Sequence, residues 1–433
     1  MKKVLIITYY WPPSGGAGVQ RWLKFAKYLP EFGIEPYVLT VDPGFASYPQ
    51  TDKSLEEEIP GNLKVFKTRS LEVLRIISGL FGKDQVPYGG FSNIENKGLK
   101  QTVLRFIRGN FFIPDARIGW KRYALKKARE IIRHYDIRTI VTTGPPHSTH
   151  LIGLKLKKRL PVKWIADFRD PWTDIYYYSD MLHTPVAKSI DRRKEKIVLE
   201  NADRVIAINK STSELLKSKI NIRDEGKFTV ITNGFDEDDF NIPVSPAREF
   251  IITYSGNLSE HYRPRVFFKA LSRVKAGHPG IRFRFRVAGC ISPFTEREIK
   301  EHGLNDIYEN LGYVGHQKLT GLLKNSTVLL YAFPETVSYS GSSGKLYEYL
   351  ATGRPVISID SPGSDAAAII RECEAGKNFS RDDEAGMFEY LCHLVEVFSM
   401  GGEVKAGNGL HRKYSRRRLA ADLSRLLIFL FLC

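Results

Sequence analysis

The chain of 433 residues carries 65 Lys and Arg against 48 Asp and Glu, a net charge of +17, and 42% of its residues are hydrophobic. It is too long for one ordinary core and suits two α/β domains of about 200 residues each. The charge points to anionic partners: nucleic acid, acidic lipid or phosphorylated substrates. Cys290, Cys373, Cys392 and Cys433 stand far apart with no CxxC pair. That argues against a disulfide scaffold or a zinc site and suits a reducing compartment.

In chain order, MKKVLIITYYWPP holds an apolar run too short, and too soon broken by Pro12, for a signal peptide or a membrane span. Val4 to Thr8 reads instead as a buried parallel strand. A small-residue loop, Ser14 to Gly18, follows. Val19, Trp22, Leu23, Ala26 and Leu29 then recur at helical spacing, and Tyr37 to Thr40 makes a second strand. Strand, Gly-rich loop, helix, strand is a Rossmann-like opening. The loop lacks GxGxxG and no acidic ribose clamp follows, so a dinucleotide site is poorly supported. Gly15 and Gly16 either permit close packing or line a ligand cleft. Residues 44–95 show scattered Pro, Gly and Ser and read as an insertion, in which Leu71 to Phe81 is amphipathic enough to touch a membrane or to pack.

From Lys97 to Arg133 the charges are basic except Asp115 and Glu130, and in the first half Leu104, Phe106, Ile107, Phe111, Phe112 and Ile113 interleave with arginines. One reading is a surface that sits on anionic lipid. The other is a solvated helix face over Arg122 to Arg133, with Ala124, Ala128, Ile131 and Ile132 inward. No nucleic-acid motif accompanies the basic residues, so a nucleic-acid partner is not expected.

Ile140 to Thr143 is a further strand, opening on GPPHSTH; a helix over Leu151 to Leu160 leads to the strand and loop WIADFRDPW. Both strand ends fall on the carboxyl edge of the sheet, where open α/β folds bind ligands. His147, Asp167, Arg169 and Asp170 are therefore candidates, against the plainer reading of a backbone-bonded histidine and an internal ion-pair loop. Helix end, turn and strand follow over Leu199 to Asn209, then a helix from Ser211 and a strand at Phe228 to Ile231. The run Asp236 to Asp239 reads as a solvated acidic linker rather than a metal site, and no metal or cofactor is expected.

The spacing places a first domain over 1–241, a linker through Ile242 to Pro246, a second domain over 248–410, and a basic then apolar helix over 411–433. The apolar end of that last helix, Leu426 to Leu432, either packs or dips into a bilayer. In the second domain Ile251 to Tyr254 is a strand ending at Gly256-Asn257, and Arg263 and Arg265 precede the helix Val266 to Val274. Three strand-loop steps follow, one ending at Gly315-His316. Then comes the densest stretch, SYSGSSGKLYEYLATGRPVISID, Ser338 to Asp360. Small residues from Ser340 to Gly344 open a helix that carries Lys345 and Glu348 on one side of its first turns. Gly353 ends it, Pro355 follows, and Val356 to Ile359 is a buried strand. The N–H groups of Ser343 to Lys345 and the Lys345 charge suit a phosphate, and Glu348 suits the two hydroxyls of a ribose. Together they suggest a nucleotide diphosphate, against the plainer reading of an exposed Lys/Glu pair. A P-loop is excluded, because Tyr339 stands at its first glycine and Leu346 where Ser or Thr must reach magnesium.

The run KLYEYLATGRPVI resembles the nucleotide-sugar signature of retaining, family-4-type GT-B glycosyltransferases that build bacterial cell-surface polysaccharide. Ser342, Lys345, Glu348 and Tyr349 match the Ser-x-x-Lys-x-x-Glu-Tyr pattern of one branch. Ser340 departs from the wider family, where a second glutamate stands. GPPHSTHLIG, DFRDPW and the N-terminal Gly-Gly loop are similar to stretches of the same branch.

The resemblance implies an α/β, GT-B architecture, two Rossmann-like domains facing across a cleft, with the last helix, 411–433, returning to the first domain. It implies sugar transfer from a nucleotide diphosphate sugar to a hydroxyl of a lipid-linked or glycan acceptor. Nucleotide-sugar contacts are expected from Gly256, Asn257, one of Arg263 and Arg265, Ser342, Ser343, Gly344, Lys345, Leu346 and Glu348. Gly15 and Gly16 would serve phosphate or acceptor. Asp170 would act on the acceptor hydroxyl as base or orienter, with His147 beside it. The expected location is cytoplasmic, peripheral at the inner face of the plasma membrane. A GT-B sugar-nucleotide epimerase or hydrolase, and a non-catalytic glycan-binding subunit, are the rival readings.

Overall fold

A computed structural model describes residues 1–72, 99–221, 224–244, 248–335 and 341–432. Val73 to Phe81, Lys97, Ser338 to Ser340 and Cys433, all within stretches named above, lie outside the described residues, as do Ser245 and Pro246 of the linker. The chain divides into two compact units. One comprises the described residues up to Thr232 and resumes at Arg416; the other runs from Asn233 to Ser415.

The first unit opens with β1 (Lys2–Ile7), α1 (Ala17–Tyr28), β2 (Ile34–Val41) and β3 (Lys64–Thr68). Then come α2 (Leu99–Phe111), α3 (Lys121–Tyr135), β4 (Thr139–Gly144), α4 (Ser148–Lys157), β5 (Lys163–Phe168), α5 (Pro185–Asn201), β6 (Arg204–Ala207), α6 (Lys210–Lys217) and β7 (Phe228–Val230). The seven strands are parallel and lie in the order β3-β2-β1-β4-β5-β6-β7. Strand alternation feeds two cores. Leu5 and Ile7 face Ala124, Ala128, Ile152 and Leu156 of α3 and α4. Val4 and Ile6 face Trp22 and Leu23 of α1 and, from the C-terminal helix Arg416–Leu432, Leu423 and Leu427. The second half of the basic stretch is thus a packed helix, with its charged residues turned outward from Ala124, Ala128, Ile131 and Ile132. β3 falls in the stretch read as an insertion. As an edge strand with Lys64 and Lys67 exposed, it carries no apolar run to announce it.

The second unit has β8 (Phe250–Ser255), α7 (Arg265–Gly277), β9 (Phe283–Ala288), α8 (Pro293–Glu301), β10 (Tyr308–Gly312), α9 (His316–Lys324) and β11 (Val328–Ala332). It continues with α10 (Gly344–Thr352), β12 (Val356–Ile359), α11 (Asp365–Glu372), β13 (Gly376–Phe379) and α12 (Glu384–Ser399). Its six parallel strands run β10-β9-β8-β11-β12-β13. One face packs Phe267, Leu271, Leu391 and Val395 of α7 and α12, the other Leu346, Tyr349 and Ile369 of α10 and α11. Each sheet is therefore doubly wound. The strand order reverses between β1 and β4 in one unit and between β8 and β11 in the other, which is where such sheets leave a crevice for ligands.

Candidate functional site

In the second unit the reversal point gathers the Gly256 turn after β8 and the first turns of α10. Helix α10 is flanked by Ser343 at its N-cap, with no side-chain cap and no acidic residue in its first turn, and by Gly353 at its C-cap with φ 67. An uncapped positive terminus of this kind favours an anion. Not every expected donor remains free: the Ser343 N–H donates to the Tyr331 hydroxyl at 3.1 Å. The phenol, rising from β11, takes the place a ligand oxygen would have there. Leu346 turns inward. Its side chain is fully buried and its N–H donates to the Ser343 carbonyl, so it supports the helix rather than offering a contact. Ser342 is 2% exposed and its hydroxyl pairs with Tyr347 at 2.9 Å, which fixes the loop entering the helix.

Tyr349 explains the last residue of the sequence pattern. Its hydroxyl accepts the Ser255 N–H at 2.8 Å and lies 3.1 Å from Ser255 Oγ, so α10 grips the end of β8. Lys345 reaches over that same strand end. Its Nζ donates to the Tyr254 hydroxyl at 2.6 Å and stands 4.1 Å from that ring centroid and 5.3 Å from the Tyr262 ring. A Cβ on Gly256, whose φ is 98, would stand 3.4 Å from Nζ. Gly289 packs against the Gly256 backbone so closely that a Cβ there would overlap it. Burial brings the Lys345 ammonium down to about 7, with Glu348 pulling the other way. Glu348 itself is 8% exposed. Asn257 accepts the Tyr254 hydroxyl proton through its carbonyl at 2.6 Å.

Arg263 and Arg265 reach carboxylates at the surface. Arg263 pairs with Glu335 at 2.7 Å and Arg265 approaches Glu298 at 3.8 Å, with side chains 67% and 63% exposed. His316 begins α9, is buried, and its Nε2 lies 2.9 Å from Asp239. Asp239 of the acidic run therefore serves an internal contact. Among the described residues no group of three or more His, Cys, Asp or Glu could hold a metal ion.

In the first unit the reversal point gathers the Gly15–Gly16 turn, the loop after β4 and the loop after β5. Gly16 caps α1 at φ 102, and the Gly15 N–H donates to the Gln50 carbonyl at 3.0 Å. The two aspartates of DFRD part company. Asp167 is fully buried and accepts from Arg21 Nη2 at 3.0 Å, Trp22 Nε1 at 2.7 Å and Thr143 Oγ1 at 2.8 Å. Burial would raise its carboxyl, but the Arg21 charge and these hydrogen bonds outweigh it and hold it low. Arg21 also donates to the carbonyls of Ile231 and Thr232. Asp167 thus ties α1 to the sheet.

Asp170 is partly exposed, and burial of its carboxyl raises its pKa against the pull of Arg169. Arg169 donates through Nε to Gly144 at 3.3 Å and through Nη2 to Pro145. His147 is 8% exposed and stacks on Trp172 at 5.0 Å with an interplanar angle of 9°. Burial, with His150 and Arg169 adding to it, drives its pKa well down, so the ring is neutral. The residues that pattern reading missed are Tyr254, Tyr262, Arg21 and Trp22. Each is a tertiary partner of a residue it found, and the local pattern marked only Tyr254, as a strand residue, and Trp22, as a helix-face residue.

Two family models match the chain: Glycosyltransferase Family 4 over residues 15–239 and Glycosyl transferases group 1 over residues 249–396. A Pseudomonas aeruginosa protein described as "Probable glycosyltransferase WbjE" is 23% identical over 265 residues, covering 57% of this chain and 64% of that one. This chain thus spans less than two thirds of that relative's length. Among solved structures, sucrose-phosphate synthase from Thermosynechococcus elongatus is similar with a TM-score of 0.65 at 14% identity, over 100% of both chains. UDP-GlcNAc 2-epimerase from Methanocaldococcus jannaschii is similar with a TM-score of 0.51 at 12% identity, over 99% of this chain and 100% of that one. At such identities the likeness is one of fold.

Proposed function

The chain belongs to Glycosyltransferase Family 4, built from two Rossmann-like domains of the GT-B type, and from that premise we propose that it moves a sugar from a nucleotide diphosphate sugar to a hydroxyl of a lipid-linked or polysaccharide acceptor, with retained anomeric configuration. The observation that carries this reading is the convergence of Lys345, Glu348 and the Gly256 turn at the reversal point of the second sheet. Glu348 receives the ribose hydroxyls. The α10 terminus and Lys345 receive the diphosphate and neutralise it as it departs, where each placed donor is commonly worth about 3–4 kcal/mol.

In the transfer, the acceptor oxygen bonds to the anomeric carbon while the bond from that carbon to the diphosphate oxygen breaks. With retention, attack comes from the leaving group's own face, so the hydroxyl proton can pass to the departing diphosphate or to Asp170. Burial raises the Asp170 carboxyl, which suits a proton acceptor. His147, neutral and stacked on Trp172, holds the loop beside it. Gly15 and Gly16 leave the β1–α1 turn open to a phosphate or an acceptor. An anionic membrane surface at the cytoplasmic face is the setting we propose for the acceptor. Its support is the exposed Phe106 and Phe111 on basic α2. No helix among the described residues is long and apolar enough to cross a membrane.

A second reading, a sugar-nucleotide epimerase or hydrolase, draws on the fold likeness to an epimerase. Release of nucleoside diphosphate from a panel of UDP-, GDP- and CDP-sugars, with and without a lipid extract, separates the two. Transfer requires release that rises with the extract and sugar recovered in the lipid fraction. Release or epimerisation without extract, and no glycolipid, would move the second reading ahead.

A further inference from the structure

The loop after β8 carries two arginines, yet both reach outward to carboxylates. The cation at the Gly256 turn comes instead from α10. Lys345 crosses the strand end, and its Nζ comes to rest between the Tyr254 ring, the Tyr262 ring and the Gly256 Cα. Tyr254 is fully buried and Tyr262 is 9% exposed, so neither ring is free to swing away. The Tyr254 hydroxyl accepts from Lys345 and donates to the Asn257 carbonyl, both at 2.6 Å. One phenol therefore links the ammonium to the turn where the diphosphate would lie. A lysine stem has four rotatable bonds, and fixing it before a ligand arrives removes an ordering cost from binding.

We propose that Tyr254 and Tyr262 are positioning residues that cradle Lys345 as the diphosphate-binding cation of the donor site, in place of Arg263 or Arg265. This rests on the nucleotide-sugar reading above. The cradle has a second effect. Ring faces attract a cation, and the hydroxyl bonds only its protonated form well, so both hold the charge that burial disfavours. Among the described residues, Glu348 on its own helix, Tyr254 on β8 and Tyr262 beyond it face the ammonium; Glu348 raises its pKa against burial, which leaves it at about 7. A diphosphate binds the protonated form, so above neutral pH binding must take up a proton and affinity falls. Below that pH the lysine is already charged and affinity is level.

The test is calorimetric binding of UDP, GDP, CDP and ADP between pH 7.5 and 9, above the ionisation of their terminal phosphate. It compares wild type with Tyr254→Phe, Lys345→Arg, Lys345→Ala, Arg263→Ala and Arg265→Ala. Wild type should bind one nucleotide, with affinity falling toward pH 9. Tyr254→Phe keeps the ring but loses the hydroxyl. It should bind about 3- to 10-fold more weakly, the span of one hydrogen bond. Lys345→Arg, charged throughout, should show a level profile. The two arginine-to-alanine variants should bind as wild type does, and Lys345→Ala should lose binding. If Tyr254→Phe matches wild type at every pH, or an arginine-to-alanine variant loses binding while Lys345→Ala keeps it, the cradle is wrong and the donor reading stands. If wild type binds none of the four, the donor reading falls and the cradle with it.

Discussion

The Arg169 guanidinium crowds Gly18 through its Nη1 end, so that a Cβ at that position would overlap Nη1. Its other nitrogens donate to Gly144 and Pro145. One side chain therefore joins the first turn of α1, the loop after β4 and the end of β5. Gly18→Ala should push the guanidinium away and destabilise the protein by about 1–3 kcal/mol, as overpacking does. In urea unfolding, Gly18→Ala and Arg169→Ala should couple by roughly 0.5–3 kcal/mol. Additive losses would mean that the two residues do not act on one another.

Asp167 and Asp170 should separate by kind of damage. Asp167→Ala leaves the buried Arg21 charge without its carboxylate, a loss of about 3–5 kcal/mol in such pairs. Urea unfolding should show that loss. A change below about 1 kcal/mol, the scale of exposed pairs, would refute the structural role given to Asp167.

Asp170→Asn should leave nucleotide affinity unchanged and reduce turnover by about 10²-fold or more, the scale of a lost proton acceptor or orienter. Steady-state turnover beside calorimetric nucleotide binding checks this. Equal losses in both would remove Asp170 from the transfer step.

Lys345 makes stability depend on pH in a known direction. Its pKa is about 7 in the folded protein against an ordinary value of 10.5. Between these values the unfolded chain binds a proton that the folded one lacks, so this residue's contribution rises with pH across that window. Below about pH 7 its full penalty is present. Thermal unfolding of Lys345→Met against wild type should therefore show the variant gaining most at pH 6, with the gain shrinking steadily toward pH 9. A constant difference would contradict the shifted lysine.

The sequence made the skeleton of the site readable where chemistry is local. Gly353 with Pro355 marked the end of α10, and the spacing of Lys345 and Glu348 marked one face of it. The strands β1, β4, β5, β8 and β12 showed as apolar runs because both faces are buried. β13, Gly376–Phe379, did not, being a short polar edge. Which aspartate of DFRD turns inward was only half visible. Two-residue alternation puts Asp167 on the face of Ile165, toward α1, but its partners Arg21 and Trp22 lie far back in the chain. Leu346 looked like part of a binding loop, yet the 3.6-residue period turns it into the core. Tyr254 read as one more strand residue, since nothing local says that a lysine from another element will lie across its ring.

The central claim is a nucleotide-sugar donor site at Glu348 and Lys345. The most direct test is calorimetric titration of wild type and Glu348→Ala with UDP, GDP, CDP and ADP at pH 7. The account predicts that one nucleotide binds wild type and that Glu348→Ala binds it about tenfold or more weakly, through the lost charge-assisted hydrogen bonds to the ribose. Binding of none, or equal binding by the variant, would contradict it.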